Sequence, residues 1–167
     1  MLQIPGENIA MRGNGLSFSA TSDAPLYENK KMIVIGGGNS AMDVSLQLAK
    51  YTDDITIMTN LDHLIGEATL MEKIQKSEHI QIKYKVGLKE ILLNAEQKVR
   101  GVRLTEGDGD IYDFECEGIF EEVGQTPATS FLDNIVDLNK RKEIITDRVM
   151  NTSTAGFFAA GDCNDGY

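Results

Sequence analysis

Lys31-Met32-Ile33-Val34-Ile35-Gly36-Gly37-Gly38-Asn39-Ser40-Ala41 is the stretch on which the fold turns. Its first half is a short, unbroken run of apolar and β-branched residues, the pattern of a parallel strand buried on both faces. The run stops at three glycines. Beyond them Ala41, Val44, Ser45, Leu48 and Ala49 recur at three- and four-residue intervals up to Lys50, the spacing of one helix face. Ile55-Thr56-Ile57-Met58 reads as a second strand and closes a β-α-β unit whose crossover is expected to be right-handed. In that setting Gly36 to Ala41 fits G-x-G-x-x-(G/A) after a strand and at the start of a helix, where the dinucleotide fingerprint belongs. Gly36 permits the turn, Gly38 leaves room for a pyrophosphate against the main chain, and Ala41 lets helix and strand pack closely. The free N–H groups and peptide dipoles of the helix start favour an anion there. Gly36, Gly38, Asn39, Ser40 and Ala41 are therefore the expected pyrophosphate cradle.

Downstream, Leu70, Met71 and Ile74 predict the inner face of a helix over 67–77, followed by a strand over 79–85. The texture then changes. Residues 89–95, 99–105 and 110–116 alternate apolar and polar residues between Gly-, Asn- and Asp-containing turns, which predicts an antiparallel meander. A further strand over 118–123 ends at Gly124 and Pro127, a change of chain direction. The remainder carries a turn over 139–142 and two expected short strands, 143–146 and 156–160. Upstream, residues 1–29 are rich in Gly, Ser, Asn and Pro and read as loop and short strand. The expected fold class is α/β, a Rossmann-like three-layer domain with a central parallel sheet and an antiparallel meander, plus a tail.

Composition narrows the function. The 167 residues, 41% hydrophobic, suffice for one well-packed domain and a tail. A formal charge of -10 opposes binding to nucleic acid or anionic lipid. No apolar run is long enough to span a bilayer, and Met1-Leu2-Gln3-Ile4-Pro5 lacks the features of a signal peptide, so a cytoplasmic location is the expectation. Cys116 and Cys163 lie far apart and outside any C-x-x-C spacing, which predicts ordinary thiols and no metal site.

The end of the second strand lies beside the adenosine ribose in this kind of fold. Here it reads Met58-Thr59-Asn60-Leu61-Asp62-His63, with no arginine or lysine to pair with a 2′-phosphate, so NAD(H) is favoured over NADP(H). Thr59, Asn60 and Asp62 are the candidate ribose contacts. Asp62 is either an acceptor for the ribose hydroxyls or a solvated loop carboxylate. Glu121 and Glu122 break an otherwise apolar strand. They either line the cleft or mark an edge strand with one wet face.

Set beside its flanks, this pattern resembles the low-molecular-weight thioredoxin reductases. Ile4-Pro5-Gly6-Glu7 is similar to the segment that leaves that family's FAD domain, and Gly36 to Ala41 to its pyridine-nucleotide turn. Gly124-Gln125-Thr126-Pro127 is similar to the return crossing, and Ala159-Ala160-Gly161-Asp162 to the second FAD motif. The resemblance implies that Gly124 and Gln125 border the cofactor site and that Gly161 and Asp162 face the flavin, Asp162 holding its ribityl or pyrophosphate part. It divides the chain into an FAD-domain linker remnant (1–6), an NAD(P)-binding domain (7–124) and a partial FAD-domain segment (125–167). The family's first FAD segment has no counterpart here, so FAD is expected only in an intact parent, and the missing FAD domain is an implied partner.

Two departures from the family bear on chemistry. Its redox-active C-x-x-C is replaced by Ser19-Ala20-Thr21-Ser22, followed by Asp23, which in the family assists proton transfer beside the cysteines. A serine hydroxyl neither forms a disulfide nor exchanges with one, so Ser19, Ser22 and Asp23 mark a catalytic motif without its thiols. The basic H-R-R-x-x-x-R pattern for a 2′-phosphate is also absent: the equivalent stretch starts at Thr59-Asn60-Leu61 and has Ile65 at its end. The implied function is nucleotide binding in a flavoprotein that passes hydride from NAD(P)H to FAD, with disulfide reduction disabled and this chain alone inactive. A thioredoxin-like protein or ferredoxin is an implied partner of the parent. The alternatives are a domain of a cysteine-free ferredoxin–NAD(P) reductase-like flavoenzyme and a degenerate domain kept for protein contacts.

Overall fold

A computed structural model of the chain describes residues 1–11, 13–107, 109–124 and 127–166. It divides into two compact units, Met1–Val123 and Gly124–Tyr167. In the first unit the elements run in order α1 (Glu7–Ala10), β1 (Leu16–Ser17), α2 (Ala20–Asp23), a 3-10 turn (Ala24–Tyr27), β2 (Met32–Ile35), α3 (Asn39–Leu48), β3 (Ile55–Met58), α4 (Ala68–Lys76), β4 (Ile80–Lys83), β5 (Val86–Leu93), β6 (Val99–Glu106), β7 (Asp110–Glu115) and β8 (Gly118–Glu121). The expected β-α-β unit and meander are present. The lead-in, for which composition predicts loop and short strand, also carries two single-turn helices, because segments this short have no periodicity to read.

The central sheet has the order β1-β8-β2-β3-β4, and each of its pairs is parallel. Strands β5, β6 and β7 form a separate antiparallel sheet. Period-two alternation in the parallel strands explains the layering. Met32, Val34, Ile57 and Phe120 face the helices and pack with Ala41, Met42, Leu48 and Ile74. Ile33, Ile35, Met58 and Ile119 point the other way, onto Val86, Ile91, Val102 and Leu104 of the meander. A strand buried on both sides has no room for a polar face, which is why residues 32–35 are uniformly apolar.

Strand β8 lies between β1 and β2, so Glu121 and Glu122 do not sit on an edge strand. Glu121 is buried, on the meander side of the sheet that Ile119 also faces. A charged pair in an apolar strand suggests a wet face, but here it marks the end of the cover: β1 pairs with Ile119 and Phe120 and stops short of Glu121.

Residues 1–6 are stitched to the first unit: Ile91 N–H donates to the Pro5 carbonyl at 2.9 Å, and the Glu7 carboxylate accepts from the N–H groups of Leu2 and Ile4. The second unit has a small cluster of Val136, Ile144 and Ala159, with Leu132, Leu138 and Cys163 against it. Its expected strands over 143–146 and 156–160 reduce to isolated bridges, Leu138 with Ile144, Ile144 with Asn164 and Asn151 with Phe158. Among the described residues no helix is long and apolar enough to cross a membrane.

Candidate functional site

The register of the parallel sheet aligns Ile35 with Met58 and Glu121, and Met58 with Lys83, so the carboxyl ends of four strands form one rim. From β2 the chain advances to β3 and β4 on one side, while the strand on the other side, β8, arrives only after the meander. The order of the sheet therefore reverses between β2 and β8. Such a reversal opens a crevice at the carboxyl ends of the strands, where open α/β sheets bind ligands. The glycine turn occupies that position.

Its glycines differ in what demands them. Gly36 has φ +144°, and a Cβ there would lie 2.3 Å from the Glu122 carbonyl oxygen, with the Ala41 Cβ at 3.2 Å. Conformation and packing both require glycine. At Gly37 a Cβ would meet the Thr59 hydroxyl at 2.6 Å. Gly38 is different: its φ is -100° and its ψ -175°, extended backbone open to any residue, and a Cβ would meet nothing nearer than the Ile65 carbonyl at 4.0 Å. Nothing in the chain itself requires glycine at position 38. Gly38 is also the N-cap of α3 and supplies no side-chain cap, which leaves the N–H groups of the first helical turn without side-chain partners. Ser40 is exposed beside them, and Ala41 is buried under the turn.

Asn39 has a structural role. Its Oδ1 accepts the Glu67 N–H at 2.9 Å, and the Gly37 carbonyl accepts the Ile65 N–H at 2.8 Å, so the segment that opens α4 is fastened against the glycine turn. On the neighbouring strand Thr59 is buried and its hydroxyl accepts the Leu61 N–H, which shapes the loop, while Asn60 and Asp62 are exposed. Asp62 Oδ1 lies 2.5 Å from Nδ1 of His63. That hydrogen bond holds the Asp62 carboxyl below its ordinary range, the charge of His63 contributing next and that of Lys85 last. Lys85 is a residue that sequence reasoning missed. It is distant in the chain and reaches the loop only through the pairing of β4 with β3, which no local pattern announces.

Ser19, Ser22 and Asp23 form a cluster of their own on α2. The Asp23 carboxylate accepts the hydroxyls of Ser22 and Ser17, each at 2.7 Å, and both bonds hold its pKa below the ordinary value. Ser19 and Ser22 are exposed. At the rim, the Glu121 carboxyl is raised above its usual range by burial, with the Glu7 carboxylate adding to the rise and the Met1 amine opposing it. The amine is 3.0 Å from one Glu121 oxygen, an ion-pair distance, but neither oxygen receives a well-directed hydrogen bond. Glu122 is raised too, by burial and by Glu121. Cys116 is buried and its thiol pushed up to about 12, and both cysteines are free. Gly124 has φ +91° at the start of the second unit, and Gly161 and Asp162 lie exposed on a turn within that unit. Gln125 lies outside the described residues.

A parallel sheet with a glycine turn at its reversal point, helices on one face and an antiparallel meander on the other, defines an α/β domain of the nucleotide-dependent oxidoreductase class. The chain belongs to the pyridine nucleotide-disulphide oxidoreductase family, whose model matches residues 1–167. It is 35% identical over 165 residues to the alkyl hydroperoxide reductase F protein of Staphylococcus aureus, an alignment covering 98% of this chain and 32% of that protein. Among solved structures, thioredoxin reductase of Lactococcus lactis superposes with a TM-score of 0.92 at 30% identity, and that of T. acidophilum with 0.90 at 31%. Each match covers 100% of this chain and 55% of the other. The chain thus spans about a third of the curated relative and about half of the solved ones. The family depends on FAD and nicotinamide dinucleotides, and the α/β fold with parallel and antiparallel sheets matches its thioredoxin reductases.

Proposed function

We propose that this chain is the pyridine-nucleotide-binding part of a thioredoxin-reductase-like flavoprotein, that it favours NAD(H), and that disulfide reduction is disabled at Ser19 and Ser22. The observation that carries the reading is Gly38. Its backbone is relaxed and a side chain there would enter open space, so whatever makes glycine useful at that position lies outside the chain. A pyrophosphate against the first turn of α3 fits that space and the uncapped N–H groups. A bound dinucleotide supplies the hydride and flavin accepts it. The residues present do the holding: Gly36, Gly38 and the N–H groups of Asn39, Ser40 and Ala41 seat the diphosphate, and Thr59, Asn60 and Asp62 border the adenosine ribose. In this reading residues 7–124 are the nucleotide domain, residues 1–6 are the linker remnant of an FAD domain and residues 125–167 a partial segment of it, Gly124 and Gln125 border a cofactor, and Gly161 and Asp162 face flavin.

The serines support the disabled disulfide step, because a hydroxyl neither forms a disulfide nor exchanges with one. Asp23 accepts from two hydroxyls and has no thiol to deprotonate. Electrons would then leave the flavin of the intact protein by another route, to a ferredoxin-like or other acceptor. The test is calorimetric titration of the purified chain with NADH and NADPH, repeated on Gly38→Glu. Saturable binding that disappears in the variant is the expected result; equal binding by both proteins, or none by either, refutes the reading.

A further inference from the structure

Two buried glutamates from distant parts of the first unit come together where β8 emerges from beside β1. Glu7, at the start of α1, is 2% exposed and Glu121, at the end of β8, 4%. Consecutive main-chain nitrogens span them: Met1 N lies 3.0 Å from Glu121 Oε1, and Leu2 N–H donates to Glu7 Oε1 at 3.0 Å. Nitrogens of neighbouring residues are at most about 3.6 Å apart, so both carboxyls belong to one site, and the Glu7 carboxylate is within hydrogen-bonding reach of Glu121. Their bonding is unequal. Glu7 accepts the N–H groups of Leu2 and Ile4, whereas neither buried oxygen of Glu121 has a well-directed donor among the described residues. A buried carboxylate without a donor is costly. The hydrogen that Glu121 lacks is one that it can carry itself, as a protonated acid donating to Glu7.

We propose that Glu7 and Glu121 share one proton, and that this bond is a pH-sensitive clasp fastening residues 1–6 to the end of β8. Residues 1–6 and Glu7 move as one body, because the Glu7 carboxylate holds the main chain of Leu2 and Ile4. That body rests on β5 through two contacts with one residue. Ile91 N–H donates to the Pro5 carbonyl at 2.9 Å, and a Cβ at Gly6 would lie 2.2 Å from the Ile91 carbonyl oxygen. The shared proton is its tie to β8. The other charges acting on Glu121 are few: the half-exposed Met1 amine favours ionisation, and Glu122, the next residue, interacts with Glu121 as a like charge. Below the step at which the pair gives its last proton to solvent, one acid and one carboxylate hold each other. Above it two buried carboxylates repel, and residues 1–6 lift from β8 while keeping their bonds to Glu7. The pair lies outside the glycine turn and outside α2, so the clasp stands or falls independently of nucleotide binding.

The experiment is carboxyl-carbon NMR of the full chain between about pH 4 and pH 8, with amide hydrogen exchange of Ile91 corrected for its intrinsic rate. A shared proton leaves in one macroscopic step that both carboxyl signals report, and that step should fall above the ordinary glutamate range. Across it the opening equilibrium of the Ile91 amide should rise about tenfold for each pH unit by which the pair holds its proton beyond that range. Glu121→Gln carries an amide that donates to Glu7 at every pH, so its Ile91 protection should be flat over the same interval. Acetylating the Met1 amine removes the opposing charge and should move the step upward without abolishing it. A step seen at Glu121 alone, Ile91 protection that ignores the step, or a Glu121→Gln protein that still loses protection as pH rises would each overturn the inference.

Discussion

Gly36 and Gly38 are two residues apart and chemically identical, yet the structure assigns them different failures. Gly36→Ala would place a methyl 2.3 Å from the Glu122 carbonyl and force a positive φ on alanine, a strain of roughly 1–3 kcal/mol or more. It should lower the melting temperature and weaken nucleotide binding together. Gly38→Ala has open space and an ordinary φ, so it should melt with the parent while losing affinity, as read by calorimetry beside a thermal scan. A Gly38→Ala that binds as the parent does would remove the argument for a ligand at that position. The serines yield to the same kind of dissection. Ser19 occupies the N-cap position of α2 without a side-chain cap hydrogen bond, and the Ser22 hydroxyl lies 3.3 Å from the Ser19 carbonyl. In a Ser19→Cys/Ser22→Cys protein the two sulfurs should form a reducible intramolecular disulfide on mild oxidation, visible as a loss of two titratable thiols. Thiols that remain fully titratable after oxidation would show that this helix does not hold a redox-pair geometry.

Strand β8 carries the clearest pH dependence at the level of elements. Burial raises the Glu121 carboxyl, so the native state holds that proton to higher pH than the unfolded chain does. The stability it contributes is full below the ordinary glutamate range and declines as pH rises through the native value. Glu122, raised in the same direction, adds to the slope. Glu121→Gln should therefore gain stability over the parent at about pH 8 and show little gain at about pH 4 in urea unfolding. An equal difference at both values would place the carboxyl's titration elsewhere. Helix α4 tests packing: Ile74 is buried against the parallel sheet, and Ile74→Ala should cost about 2–5 kcal/mol. The strands and helices that were legible in the sequence are those with a long period or a sharp stop. Residues 32–35 and 39–48 announced themselves by an apolar run, a glycine halt and a helical stripe, and 55–58 by its β-branched alternation. The burial of Glu121 was not legible, because it depends on which strand lies beside β8 and where β1 stops. The approach of Lys85 to Asp62 was hidden for the same reason: register between strands is a property of pairing, and local sequence carries the faces of a strand but not its neighbour.

The two compact units differ in what they can sustain alone. Met1–Val123 has two apolar clusters, one on each face of the parallel sheet, including fully buried Phe120, Met32, Leu48 and Ile57 on the helix side and Ile33, Ile119, Val102 and Leu104 on the meander side. Gly124–Tyr167 buries only Val136, Ile144 and Ala159 as apolar residues among those described, while Phe131, Val149 and Phe158 stand largely exposed within it. A segment of that size is near or below the lower limit for independent folding. Truncation after Val123 should thus leave a protein that unfolds cooperatively and keeps its dinucleotide affinity, since Gly36 to Ala41, Thr59, Asn60 and Asp62 all belong to the first unit. The isolated 124–167 peptide should show no cooperative transition by circular dichroism. The same division bears on flavin. Gly161 and Asp162 lie in the unit with the weaker core, so the full chain should elute from a gel-filtration column without flavin absorbance after incubation with FAD, whereas nucleotide titration of that eluate should be unchanged. Retained flavin in stoichiometric amount would mean that the second unit, small as its core is, builds a complete flavin site from its own residues.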